Sequence, residues 1–184
     1  MKIQPLGAPL PPPPMAGNPY LFLMSGLPGS GKSTAADALA SQYGAIILSL
    51  DQLLVPLFGA DHIVREPEKR IDRVNTVRNF LWSIARQTLS RNISVILDDG
   101  FFTRDSRDRA IIGCQPDPST DVTALPIIVF CNTPITTLFA RLNLRNRHLP
   151  PHCHRISAEF CTSCSHLFEP PTDDEGVPVV VMGG

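Results

Sequence analysis

From residue 20 onward, short and nearly continuous apolar runs alternate with longer stretches that mix apolar and polar positions. That alternation is the pattern of βα units laid on a parallel sheet. Five runs read as strands: Tyr20–Ser25, Ala45–Leu50, Ile93–Asp98, Pro126–Cys131 and Val177–Met182. A strand covered on both faces needs apolar side chains at every position, and these runs supply them. Lys32–Tyr43 reads as a helix. So does Glu68–Ser90, where Ile71, Val74, Val77, Leu81, Ile84 and Leu89 recur at helical spacing. Further helices are expected after Thr103 and Thr133 and over Ser157–Phe168. Thr133 followed by Pro134 has the form of an N-cap with proline at the first helical position.

The chain has 184 residues, 43% of them apolar, which is enough for one core and too few for two full-sized domains. Seven of the 19 prolines fall in residues 1–19, which therefore read as an extended, flexible arm, with residues 20–184 as the folded domain. The arm is also open to docking by a proline-reading partner. A formal net charge of −1 gives no support for electrostatic attachment to a nucleic-acid backbone or an anionic membrane. No apolar run is long enough to span a bilayer and the start lacks a signal-peptide pattern, so the expected location is cytoplasmic. Five cysteines, an odd number, fit reduced thiols better than a disulfide framework.

Between the first strand and the first helix lies Gly26-Leu27-Pro28-Gly29-Ser30-Gly31-Lys32-Ser33-Thr34, which fits G-x-x-x-x-G-K-[ST]. Glycines at 26, 29 and 31 let the backbone curl so that its N–H groups face phosphate oxygens at a helix N-terminus. Lys32 is expected to reach the β and γ phosphates, and Ser33 to hold Mg²⁺ through its hydroxyl. No Asn-Lys-x-Asp guanine reader accompanies the loop, so ATP is the expected nucleotide.

Ligands of open α/β sheets lie at the carboxyl ends of the strands, which draws attention to the acids there. Asp51 ends the second predicted strand; it is placed either to take a proton from an acceptor hydroxyl or to cap the next segment. Asp98 ends the third and suits Mg²⁺ or its water shell, while Asp99 points elsewhere if the strand continues. Arg141 and Arg145 are four apart and share a helix face; with Arg147 nearby, they suit either a transferring phosphoryl group or a solvated helix end. Most of the charged run through Arg109 reads as a solvated helix face, with Arg104 expected to face the crevice.

Cys153, His154, Cys161, Cys164 and His166, with His148 and His152 nearby, contain a C-x-x-C that raises zinc. The better reading places Cys161 and Cys164 on an apolar helix stripe with Ile156, Phe160, Leu167 and Phe168.

Taken together, GLPGSGKST at 26–34, LSLD at 48–51, ILDDGFFTRDSRDR at 96–109, RLNLRNRHLPP at 141–151 and FEPPTDDEG at 168–176 give the chain a resemblance to a kinase group. It resembles the broad P-loop group that holds polynucleotide kinases, zeta toxins and chloramphenicol phosphotransferase, and within it the bacterial AAA family ATPase proteins that lack the AAA+ architecture. The resemblance implies a P-loop NTPase three-layer α/β/α sandwich with a five-stranded parallel sheet in the order 2-3-1-4-5. It also implies a lid around 141–155 carrying Arg141 and Arg145, Asp51 as base, and Asp98 at the metal. The expected activity is Mg²⁺-dependent transfer of the ATP γ-phosphate to a hydroxyl of a small molecule or nucleotide. A nucleotide-binding module without transfer and a 5′-hydroxyl polynucleotide kinase are the alternatives.

Overall fold

The computed structural model describes residues 18–59, 66–114, 123–150 and 153–183. Residues 1–17 of the proline-rich arm, and Pro151 and His152 of the expected lid, lie outside the described residues. In chain order the elements are β1 (Tyr20–Ser25), α1 (Lys32–Tyr43), β2 (Ile46–Ser49) and α2 (Leu50–Phe58). A short 3₁₀ turn (Pro67–Lys69) then leads into α3 (Arg70–Leu89), β3 (Val95–Gly100) and α4 (Arg104–Gly113). The chain finishes with β4 (Leu125–Asn132), α5 (Ile135–Arg147), α6 (Ala158–Leu167) and β5 (Val179–Gly183).

All strand pairs are parallel and the order is β2-β3-β1-β4-β5. Alternation along each strand builds two cores. Leu21, Leu23, Val95, Leu97, Ile128 and Phe130 face α2 and α3, packing on Leu54, Val77, Leu81 and Ala85. Phe22, Met24, Ile96, Ile127 and Val129 face α1, packing on Ala35, Ala36 and Leu39. Helices therefore cover both faces, giving the three-layer α/β/α sandwich. A smaller cluster of Leu142, Ile156 and Cys161 joins α5 to α6.

Several expectations need correction. The second strand stops at Ser49; Leu50–Phe58 is a helix, so Asp51 sits in the first turn of α2 and not at a strand end. The third strand runs two residues past Asp98, and the fifth begins at Val179. Ile71 is 70% exposed, because the buried face of α3 is Val77, Leu81, Ala85 and Thr88. Leu167 is exposed too. Thr133 does not cap α5: Pro134 takes the N-cap position, and Thr133 Oγ1 instead donates to Ser30 O at 3.0 Å.

The charged run after β3 is solvated at Asp105, Asp108 and Arg109, but Arg107 is buried. Arg107 is 1% exposed, and its Nε and Nη2 reach Glu175 at 2.6–3.2 Å, while its Nη1 donates to Glu169 O (2.8 Å) and Phe101 O (3.3 Å). Glu169 Oε2 accepts the Arg104 backbone N–H at the head of α4 (2.6 Å). Together these bonds give the segment Glu169-Pro170-Pro171 a role, which is to dock the last loop onto the start of α4. Removing one partner of a buried charge pair leaves the other uncompensated. Arg107→Ala is expected to lower unfolding stability in urea by about 3–5 kcal/mol, and Arg107→Leu/Glu175→Leu to recover part of that loss.

Candidate phosphate-binding and acceptor cleft

The site begins at the turn after β1. Gly26 adopts φ +145°, and a Cβ there would come within 2.7 Å of Ser30 Oγ and 2.8 Å of Cys131 O, so the loop leaves no room for a side chain. Its N–H donates to Gly100 O at 3.2 Å, tying the loop to the end of β3. The Thr133 bond to Ser30 O ties it to the end of β4. Suspended between two strand ends, the loop hands the chain to α1, which is entered through Gly31 in the left-handed region at φ 95°.

Lys32 Nζ donates to Gly26 O and Leu27 O, both at 2.9 Å. Desolvation pushes its ammonium below the ordinary value, opposed by the Asp98 carboxylate. Ser33 Oγ donates to Asp98 Oδ2 at 2.9 Å. Burial pushes Asp98 up, opposed by Lys32 and by the Ser33 hydrogen bond. Because β3 continues, Asp99 points the other way, where Arg78 Nε and Nη2 grip it at 2.5 and 3.0 Å.

One cleft of ≈ 1350 Å³ gathers the expected residues. Pro28 to Thr34 line it, as do Asp51, Asp98, Arg141 and Arg145; Gly26 and Leu27 lie beneath, holding Lys32. Arg141 Nη1 would be 3.9 Å from a Cβ on Gly31, which puts this guanidinium at the mouth of the loop. Arg145 Nη2 donates to His154 O at 3.2 Å. Arg104 does not face the cleft as expected; it binds Asp174 Oδ1 (2.8 Å) and Asp174 O (2.7 Å).

The sequence reading did not find His154 as a partner of Asp51. The imidazole is 5% exposed, with Nε2 3.4 Å from Asp51 Oδ1, and the carboxylate it approaches stays 63% exposed. Only the clustering of histidines hinted at this. Cys161 and Cys164 are buried on α6, and among the described residues no three His, Cys, Asp or Glu side chains come together as a metal site.

The residues fit a Mg²⁺-bound triphosphate. Ser30 Oγ is buried without a hydrogen-bond partner among the described residues, facing the space the glycines keep open. A hydroxyl beside a carboxylate is a hard-oxygen pair, suited to a cation that takes its other ligands from phosphate and water.

Residues 21–159 match the sequence profile of a family described as AAA domain. The chain belongs to that family. Solved structures with the same fold include a candidate kinase from Chloroflexus aurantiacus (TM-score 0.67, 21% identity, 90% of this chain and 88% of that one). Kti12 from Chaetomium thermophilum, in complex with ADP-AlF3, gives a TM-score of 0.61 at 19% identity over 89% and 88% of the two chains. A gluconokinase from Sinorhizobium meliloti gives 0.55 at 18% over 91% and 84%. Among curated proteins none matches. The AAA-domain chain thus has the P-loop kinase-like fold. Among its described residues no helix is long and apolar enough to cross a membrane.

The crowding at Gly26 has a direct consequence. Gly26→Ala is expected to cost about 1–3 kcal/mol of stability in urea and to abolish binding of a fluorescent ATP analogue. Gly44→Ala, whose Cβ meets nothing within 4 Å, is expected to leave analogue binding intact.

Proposed function

We propose that this protein is an ATP- and Mg²⁺-dependent kinase that transfers the γ-phosphate to a hydroxyl of a small molecule. The observation that carries the reading is Asp51: an exposed carboxylate with a buried imidazole on one oxygen, in the same cleft as Lys32, Asp98 and the two arginines. A protein that only binds nucleotide has no use for such a group across from the phosphate loop.

In this reading residues 29–34 hold the triphosphate through backbone N–H groups, Lys32 moves from the Gly26 and Leu27 carbonyls to the β and γ oxygens, and Ser33 and Asp98 hold the metal. Mg²⁺, when bound, neutralises phosphate charge and orients the leaving oxygens. Asp51 receives the acceptor's hydroxyl proton on its open oxygen, while His154 keeps the carboxylate turned. The acceptor oxygen bonds to the γ-phosphorus; the bond from that phosphorus to the β,γ-bridging oxygen breaks, and its electron pair leaves with ADP. Arg141 and Arg145 close over the charge that spreads across the transferring group. The gluconokinase and Kti12 share the fold at under 25% identity, so neither supplies the acceptor.

The test is labelled ATP incubated with a metabolite extract. Wild type is expected to yield a labelled product. Asp51→Asn is expected to slow it by about 10²–10⁴ with the affinity for ATP within twofold. Tight ATP binding without transfer points to the binding module, and transfer only to oligonucleotides, weakening with salt, to a polynucleotide kinase. Loss of the carboxylate in Asp98→Asn is expected to raise the Mg²⁺ needed for half-maximal transfer by about tenfold or more, read from a Mg²⁺ titration at saturating ATP.

A further inference from the structure

The cleft is larger than the roughly 300–1,000 Å³ of an ordinary small-molecule site, and its far wall is made by one stripe of α3. Arg70, Val74, Arg78 and Trp82 recur at steps of four, Asn75 and Asn79 lie beside them four apart, and all six line it. Val74 and Trp82 of this stripe pack against the core beside Val77, Leu81 and Ala85, whereas Arg70, Asn75 and Asn79 are exposed. Arg70, Asn75 and Asn79 line the cleft without a role in packing.

The hydrogen bonds show which of these groups remain available. Arg78 is spent on Asp99, and its Nη1 also donates to Asn75 Oδ1 at 3.3 Å. That leaves the Asn75 NH₂ group with both protons free, since its oxygen is engaged. The Asn79 side chain makes no hydrogen bond among the described residues. Arg70 has no ion pair among them either; its guanidinium lies 5.0 Å over the Phe160 ring, which fixes the charge without neutralising it. In the same cleft Asp51 keeps a 63% exposed carboxylate, with His154 Nε2 3.4 Å from one oxygen.

We infer that the acceptor is a small hydroxylated anion. Its anionic group sits on Arg70, its other oxygens on the Asn75 and Asn79 amides, and its reacting hydroxyl at Asp51. This rests on the kinase reading of the same cleft. An anionic group gains a charge-assisted hydrogen bond to Arg70 that a neutral acceptor cannot make, and a cationic acceptor is repelled by it. A carboxylate and a phosphate monoester both satisfy the guanidinium.

The test uses labelled ATP and a low-molecular-mass metabolite extract, divided on an anion-exchange resin before reaction. Transfer is expected with the retained fraction and not with the flow-through. Phosphatase treatment of the retained fraction before reaction removes the acceptor if its anionic group is a phosphate monoester and spares it if it is a carboxylate. Arg70→Gln is expected to raise the amount of retained fraction needed for half-maximal transfer tenfold or more, with the KM for ATP within twofold; Arg70→Lys recovers part of the loss, and Asn79→Ala gives a smaller shift in the same direction. Transfer carried by the flow-through, or an Arg70→Gln protein that saturates like wild type, overturns the inference and leaves the kinase reading standing. No Asp51-dependent product from the undivided extract overturns both.

Discussion

The position of β1 between β3 and β4 governs everything at the mouth of the cleft, because the phosphate loop is anchored to both flanking strands and to little else. Gly26 bonds to Gly100 at the end of β3, Ser30 to Thr133 just past β4, and Ser33 to Asp98 on β3. The bonds to β3 require the register in which Leu21, Phe22 and Leu23 lie beside Val95, Ile96 and Leu97, and the bond to Thr133 requires the same three beside Pro126, Ile127 and Ile128. A slip of one residue would send Phe22 and Met24 into the α2–α3 core and Leu21 and Leu23 into the α1 core, so apolar burial on both faces locks the register. The chemistry of the loop is thereby set by the packing of residues that never touch a ligand.

A second anchor holds the other rim. Phe101 follows β3 with φ at 38°, a conformation a bulky residue rarely adopts, and its carbonyl accepts from both Ser25 Oγ and Arg107 Nη1. Arg107 in turn is held by Glu175, so the last loop stabilises a strained turn at the cleft through a buried ion pair. Charge is a costly way to build a joint, but the guanidinium reaches Phe101 O, Glu169 O and the Glu175 carboxylate together, which no apolar side chain can do.

The parts legible in the sequence were those whose signal is local. The phosphate loop carries its spacing within nine residues, and strands buried on both faces announce themselves by composition. The split between Asp98 and Asp99 followed from strand alternation alone. Long-range pairings were silent. Arg107 sits among acids and bases that read as a solvated face, and only Glu175, 68 residues away, buries it. Helix α2 was hidden by Pro56 and by an apolar run that continues the strand pattern, and Thr133 was drawn from its capping role by a partner 103 residues distant. His154 reaches Asp51 only because α5 and the segment after it fold back over the cleft.

Three carboxylates lie within reach of Lys32, and the structure gives them unequal freedom. Asp98 is tied to Ser33 and Asp99 to Arg78, and burial pushes both upward, toward the protonated form. A cation bound at Asp98 would oppose that tendency by favouring the carboxylate, whereas both Asp99 oxygens are engaged by Arg78. Asp51 alone among the three combines a buried contact on one oxygen with an open face. The structure thus leaves the Asp51 carboxylate, of the three, with a lone pair that no other group among the described residues occupies.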